Sequence, residues 1–188
     1  NESLNLLNEQ VIEFTGNELI IADDKQPLAL AGIMGGELSS VNQHTSSIFL
    51  ESAYFDPSNI AGRARSFALS TDSSHRFERG VDFGNTLNAL NRASELILKY
   101  CGGECSEVID ITSKLPQRES ITIRSKRVSD ILGVSVPASD VQKILNALHF
   151  DVEKNGDDFI VKPPSYRFDI SIEEDLIEEV IRLYGYDN

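Results

Sequence analysis

Short apolar runs broken by turn formers open the chain, which predicts strands over Val11–Phe14, Leu19–Ala22 and Leu28–Ala31. A fourth apolar run, Ser47 to Phe55 around Ile48-Phe49-Leu50, reads the same way. The period then changes. Asp56-Pro57 has the cap and first-turn proline of a helix start, and Ile60, Ala61, Ala64, Phe67 and Ala68 follow at helical spacing. A longer helix is predicted over about Asn85 to Tyr100, with Leu90, Ala93, Ile97 and Tyr100 on one face and a stop at Gly102-Gly103. Lys114 to Ser120 is polar, holds Pro116 and separates two segments that each restart with a strand, so it reads as a linker. Beyond it the pattern predicts a strand over Ile121–Arg124 and a short helix over Ser125–Leu132 ended by Gly133. A capping box at Ser139-x-x-Gln142 leads into Val141, Ile144, Leu145 and Leu148. Asp151 to Val161 reads as a hairpin turning at Asn155-Gly156. A second capping box, Ser171-x-x-Glu174, opens a last helix with Ile172, Leu176, Ile177, Val180, Ile181 and Tyr184 toward the core.

These elements make an α+β chain of two domains, residues 1–115 and 116–188, the second a unit of about 70 residues that gains stability from neighbours. The 188 residues hold 17 Lys and Arg against 30 Asp and Glu, a net charge of −13. Acids outnumber bases on both sides of Pro116. This sign excludes a module that grips nucleic acid over its whole surface, so any such contact is local. No apolar run approaches the roughly 18 residues of a membrane-spanning helix, and no secretory pattern opens the sequence, which predicts a soluble, cytoplasmic protein. The only methionine is Met34 and the chain opens at Asn1, which reads as a piece of a longer protein. Cys101 and Cys105 are too few for a disulfide framework or a structural zinc site.

Four constellations invite chemistry. Ala31-Gly-Ile-Met-Gly-Gly-Glu37 follows a strand but lacks the Lys-Ser/Thr of a nucleotide loop, leaving a tight turn or a close backbone approach to a ligand. Gly62 to Gly80 is polar and holds Arg63, Arg65, Arg76, Arg79 and His75. It reads as a solvated loop with ion pairs, because Asp72, Ser73 and His75 are too close in sequence to point at one another as a triad. Glu51 ends an apolar strand, so it is either paired with Arg63 or Arg65 or kept to accept a hydrogen bond from a ligand. Asp175, Glu178 and Glu179 share a helix face about one turn beyond Asp169. Their repulsion is offset either by Arg182, pairing with Glu178, and the helix dipole, or by a hard divalent cation such as Mg²⁺.

The ordered set Leu28-Ala-Leu-Ala-Gly-Ile-Met-Gly-Gly36, Leu50-Glu-Ser-Ala-Tyr-Phe-Asp-Pro57, Gly62-Arg-Ala-Arg65, Ser70-Thr-Asp-Ser-Ser-His-Arg-Phe-Glu-Arg-Gly80, Pro164-Ser-Tyr-Arg-Phe-Asp-Ile170, Asp175-Leu-Ile-Glu-Glu-Val180 and Tyr184-Gly-Tyr-Asp187 resembles the beta subunits of bacterial-type phenylalanyl-tRNA synthetases. The resemblance runs through nearly the whole chain. It implies most of a B3/B4 editing domain followed by a B5 domain, in a ligase of two alpha and two beta subunits that acts on tRNA(Phe). The aminoacylation site and the ATP it uses would belong to the whole enzyme rather than to these residues. In this family an editing site hydrolyses mischarged Tyr-tRNA(Phe). The resemblance assigns the tyrosine hydroxyl to Glu51, with Gly35, Thr71 and Ser73 lining the pocket or placing the ester and its water. Ser73 departs from the family, which more often has alanine there. The family's histidine and arginine contributions fall before Asn1, so the chain alone is expected to edit poorly or not at all. The resemblance also implies Mg²⁺ ligands at Asp169, Asp175, Glu178 and Glu179, shared with the alpha subunit. A non-catalytic RNA-binding or subunit-docking scaffold is the competing reading.

Overall fold

The computed structural model describes residues 2–185 and divides into two compact units, Asn1–Asp110 and Ile111–Asn188. Tyr186 and Asp187 of the last motif lie outside the described residues. The fold is α+β, as the patterning predicts.

In the first unit β1 (Ser3–Asn5) and β2 (Val11–Glu13) form an antiparallel pair. β3 (Ile20–Ala22), β4 (Pro27–Leu30) and β5 (Met34–Gly35) form an antiparallel sheet in that order. A Leu6–Gly36 bridge joins the two. Gly36 is fixed by this crossing: a Cβ there would stand 2.6 Å from the Leu28 carbonyl oxygen and 2.8 Å from Leu4 Cδ1. Leu4, Leu6, Ile12, Leu30, Ile33, Ile60, Ala64 and Leu69 form the core, with Phe55, Phe67 and Phe77 packed against it.

Three expectations in this unit are corrected. Residues 47–55 form no strand. They have no ladder partner among the described residues, and Phe49 is 90% exposed; strand propensity needs a neighbouring strand to be realised. The helix expected from Asp56 is two short ones, α1 (Pro57–Ile60) and α2 (Arg63–Ser66), because Gly62 takes a left-handed conformation between them. The Asp56 carboxylate does cap α1, accepting from the Ser58 amide at 2.9 Å. The polar segment after Gly62 is no loop throughout, since it contains α3 (Asp72–Arg79). α4 (Thr86–Cys101) lies where the spacing puts it, with Leu90, Ala93 and Ile97 half-buried but Tyr100 75% exposed.

In the second unit β6 (Ile121–Ile123) precedes two helices, α5 (Ser125–Leu132) and α6 (Ala138–Ala147). The hairpin β7 (Asp151–Asn155) and β8 (Asp158–Lys162) follows, and then α7 (Glu173–Tyr184). The sheet is antiparallel in the order β6-β8-β7. Its hairpin turns at Gly156-Asp157, one residue later than predicted, with Gly156 at positive φ as a two-residue turn requires. Phe159 and Val161 of β8 meet Ile123, Val128, Val141 and Leu145, and α7 closes the core with Leu176, Ile177 and Val180. Ile172, expected in this core, is 54% exposed.

Neither predicted capping box is observed. α6 begins behind Pro137, with Ser139 already inside it and no side-chain cap. At α7 the cap comes from Asp175, whose carboxylate accepts from the amides of Ser171 (2.8 Å) and Ile172 (3.0 Å). The α7 start is also tied to β6 and α5. Glu173 pairs with Arg124 at 2.6 Å and Arg127 at 3.3 Å, and Arg127 also reaches Glu174.

Hydrogen bonding from Arg124 holds the Glu173 carboxyl below the usual carboxylate range. A lowered folded-state value adds stability that is present above the unfolded value and is lost as pH falls through the folded one. Glu173→Gln is therefore expected to flatten the decline in urea midpoint between about pH 5 and pH 3. Parallel declines in variant and parent would contradict this. Gly36→Ala is expected to destabilise by about 1–3 kcal/mol, because the obstructing atom is backbone oxygen and cannot swing away.

Candidate functional site

The residues singled out by sequence fall into two groups, one in each unit. In the first, the glycine loop and the start of α3 are joined by hydroxyls. Thr71 Oγ1 donates to the Ile33 carbonyl at 2.9 Å and accepts from the Ser74 amide at 3.0 Å. Ser73 Oγ donates to the Gly32 carbonyl at 2.9 Å. The buried Ser74 returns the cap, its Oγ accepting from the Thr71 amide at 3.1 Å. This reciprocal arrangement explains how a helix with one apolar residue on its core side forms at all. Its signal in the sequence is Thr71-x-x-Ser74, which stands in a stretch too polar for periodicity to reveal.

Gly32 adopts φ +67, and a Cβ there would meet Phe55 and Phe77 at 3.2 Å. The two rings lie 5.1 Å apart. The 31–36 loop is thus a tight turn held close to aromatic side chains. Gly35 is half-buried on its strand, and a Cβ would meet Leu7 Cδ1 at 3.3 Å. The geometry brings Gly35's loop together with Thr71 and Ser73, and leaves each hydroxyl without a free proton but with acceptor capacity.

Glu51 makes no hydrogen bond or ion pair with Thr71, Ser73, Arg63 or Arg65, so the pairing with arginine considered from sequence is not formed. Glu51 is exposed, and partial burial of its carboxyl raises it above the usual range. The residues after it are anchored. Ser52 Oγ donates to the Thr86 carbonyl at 2.8 Å, and Tyr54 meets Phe83 edge-on at 5.8 Å. His75 is exposed and engages Arg79, whose Nη1 lies 2.7 Å from Nδ1. Ser73 and His75 therefore face different partners, and no triad forms.

In the second unit the four acids do not converge. Asp169 is held by Arg167, with Nη2 at 2.7 Å and Nε at 2.9 Å. Glu179, 9% exposed, accepts from Arg167 Nη1 at 3.0 Å and Arg182 Nη2 at 2.7 Å. Arg182 thus reaches Glu179, the neighbour of the residue expected. Asp175 caps its helix, and Glu178 is exposed. Among the described residues no three His, Cys, Asp or Glu side chains are grouped to hold a metal ion. The residues as they stand do not fit the Mg²⁺ expected at Asp169, Asp175, Glu178 and Glu179. Sequence reasoning missed Arg167, although its place two residues before Asp169 in Arg-Phe-Asp was a signal.

Residues 1–102 match the B3/4 domain and residues 121–186 the tRNA synthetase B5 domain, so the chain belongs to the B3/4 domain family with a B5 domain following. Over its whole length it is similar to phenylalanine–tRNA ligase beta subunits. It is 50% identical to that of Dechloromonas aromatica and 52% identical to that of Psychrobacter arcticus, covering 100% of this chain and 24% of each relative. The Neisseria meningitidis serogroup B subunit is 46% identical over the same share. The chain thus spans about a quarter of the length of the relatives it matches. No helix among the described residues is long and apolar enough to cross a membrane.

Thr71→Val, which keeps the shape and removes both hydrogen bonds, is expected to cost about 1–2 kcal/mol in chemical denaturation. Ser73→Ala, which removes one half-buried bond, is expected to cost about 1 kcal/mol or less. Equal, near-zero effects would contradict a role for these hydroxyls in holding the loop.

Proposed function

We propose that this chain is the B3/4–B5 portion of a phenylalanine–tRNA ligase beta subunit and that its first unit belongs to a hydrolytic site clearing tyrosine from mischarged tRNA(Phe). The physical need is plain. A pocket shaped for phenylalanine rejects an analogue with one extra hydroxyl by only about 100-fold, so discrimination needs a second site that recognises that hydroxyl positively. The observation that carries the reading is the placement of Glu51: an acid with no counter-charge among the described residues, its carboxyl raised by partial burial, next to Ser52, which anchors the segment through the Thr86 carbonyl. Such a carboxylate accepts a hydrogen bond from a phenolic O–H, and has nothing to gain from a phenylalanine ring.

Thr71 and Ser73 serve this site in two ways. Their protons hold the glycine loop through the Ile33 and Gly32 carbonyls. Their remaining lone pairs accept from a water, which orients it without polarising the ester. The aminoacylation chemistry is that of the alpha subunit, in a complex of two alpha and two beta chains.

In the full ligase, Glu51→Ala is expected to slow deacylation of Tyr-tRNA(Phe) at least about tenfold, as loss of a recognised hydroxyl partner entails, while Phe-tRNA(Phe) formation is unchanged. Thr71→Trp, which puts an indole where α3 meets the glycine loop, is expected to abolish clearance. Unaltered tyrosine clearance in both variants would overturn the assignment and leave the docking-scaffold reading.

A further inference from the structure

The acids of the B5 unit are chemically suited to a divalent cation, and the structure instead surrounds them with guanidinium groups. Arg167 donates through Nε and Nη2 to Asp169 and through Nη1 to Glu179, so one side chain links the loop before α7 to the helix itself. Its guanidinium carbon lies 5.5 Å from the ring centroid of Phe150, a residue of the core. Arg182 adds a second charge to Glu179 at 2.7 Å. Arg118 adds its positive charge to the field at Asp169. Two carboxylates thus contact two arginines directly, with the charge of a third nearby. A cation that enters here must displace a fork of hydrogen bonds and overcome like-charge repulsion at short range. The remaining acids do not help it. Asp175 spends its carboxylate on the amides of Ser171 and Ile172, and Glu178 points to solvent.

We propose that Arg167 is the resident counter-charge of Asp169 and Glu179, clasping the Arg-Phe-Asp loop to α7, and that this acidic constellation is an ion-pair clasp rather than a divalent-cation site. The pair with Glu179 is mostly shielded, the side chains being 17% and 12% exposed. Breaking such a pair leaves a charge stranded, which is where its loss is felt. The clasp is independent of the editing reading, since it concerns the fold of the second unit alone.

The test uses the full 188-residue chain with Mg²⁺ as probe and Mn²⁺ as its paramagnetic stand-in. Backbone amide spectra of residues 167–182 are expected to show no saturable change with millimolar Mg²⁺ and no selective broadening by Mn²⁺. Arg167→Met is expected to lower the unfolding midpoint by about 10 °C or more, and Arg167→Lys, which keeps the charge and loses the fork, by roughly half as much. In a Glu179→Gln background the same Arg167→Met change is expected to cost clearly less, as coupled partners require. Saturable Mn²⁺ broadening at these residues that Asp169→Asn abolishes would overturn the proposal. So would an unchanged midpoint in both Arg167 variants. If Arg167→Met does not fold, the Lys variant and the cation titration still decide between the outcomes.

Discussion

With 30 acidic side chains and 17 basic ones, acids outnumber the bases available to pair with them, and the two units place their arginines differently. In the second unit four of the five arginines engage acids around α7. Arg124 and Arg127 hold the first turn of α7 through Glu173 and Glu174, and Arg167 and Arg182 hold its middle through Glu179. A small core of about a dozen buried side chains is thereby framed by charge pairs that fix one helix against a three-stranded sheet. Exposed pairs of this kind contribute little each, and the shielded ones matter through the cost of breaking them.

The first unit distributes its polar groups differently. There the joints are hydroxyl to carbonyl, at Thr71–Ile33, Ser73–Gly32 and Ser52–Thr86, and Glu51 is left without a cation. Neutral joints fix the backbone without supplying positive charge that would satisfy the acid. A carboxylate left in this condition gains by accepting a hydrogen bond from a ligand, and that difference between the units is the physical basis for reading the first as a recognition site and the second as a support.

Much of the second unit was legible because its helices and hairpin carry their own period, as Leu176, Ile177 and Val180 on α7 and the Gly156 turn illustrate. The first unit was less so. α3 carries only Phe77 as an apolar side chain, so its helical nature rests on a cap that spacing does not advertise. Residues 47–55 have the composition of a strand and no described neighbour to pair with. The identity of candidate residues was readable as motifs, whereas their partners were not. Arg167 and Glu179 are twelve residues apart and meet only after the loop folds onto α7. Glu178 and Glu179 stand four and three residues before Arg182, so spacing alone allowed either, and the pair that forms is the one to Glu179, which Arg167 also engages.

The most direct test of the central claim is the titration of the Glu51 carboxyl itself, followed by carbon-13 NMR in the full-length subunit with non-hydrolysable tyrosyl- and phenylalanyl-adenosine analogues. Glu51 is expected to titrate above the ordinary carboxylate range in the free protein, drawn down by the tyrosyl analogue, whose phenol donates to the anion, and not by the phenylalanyl one. An ordinary value in the free protein, or the same response to both analogues, would contradict it.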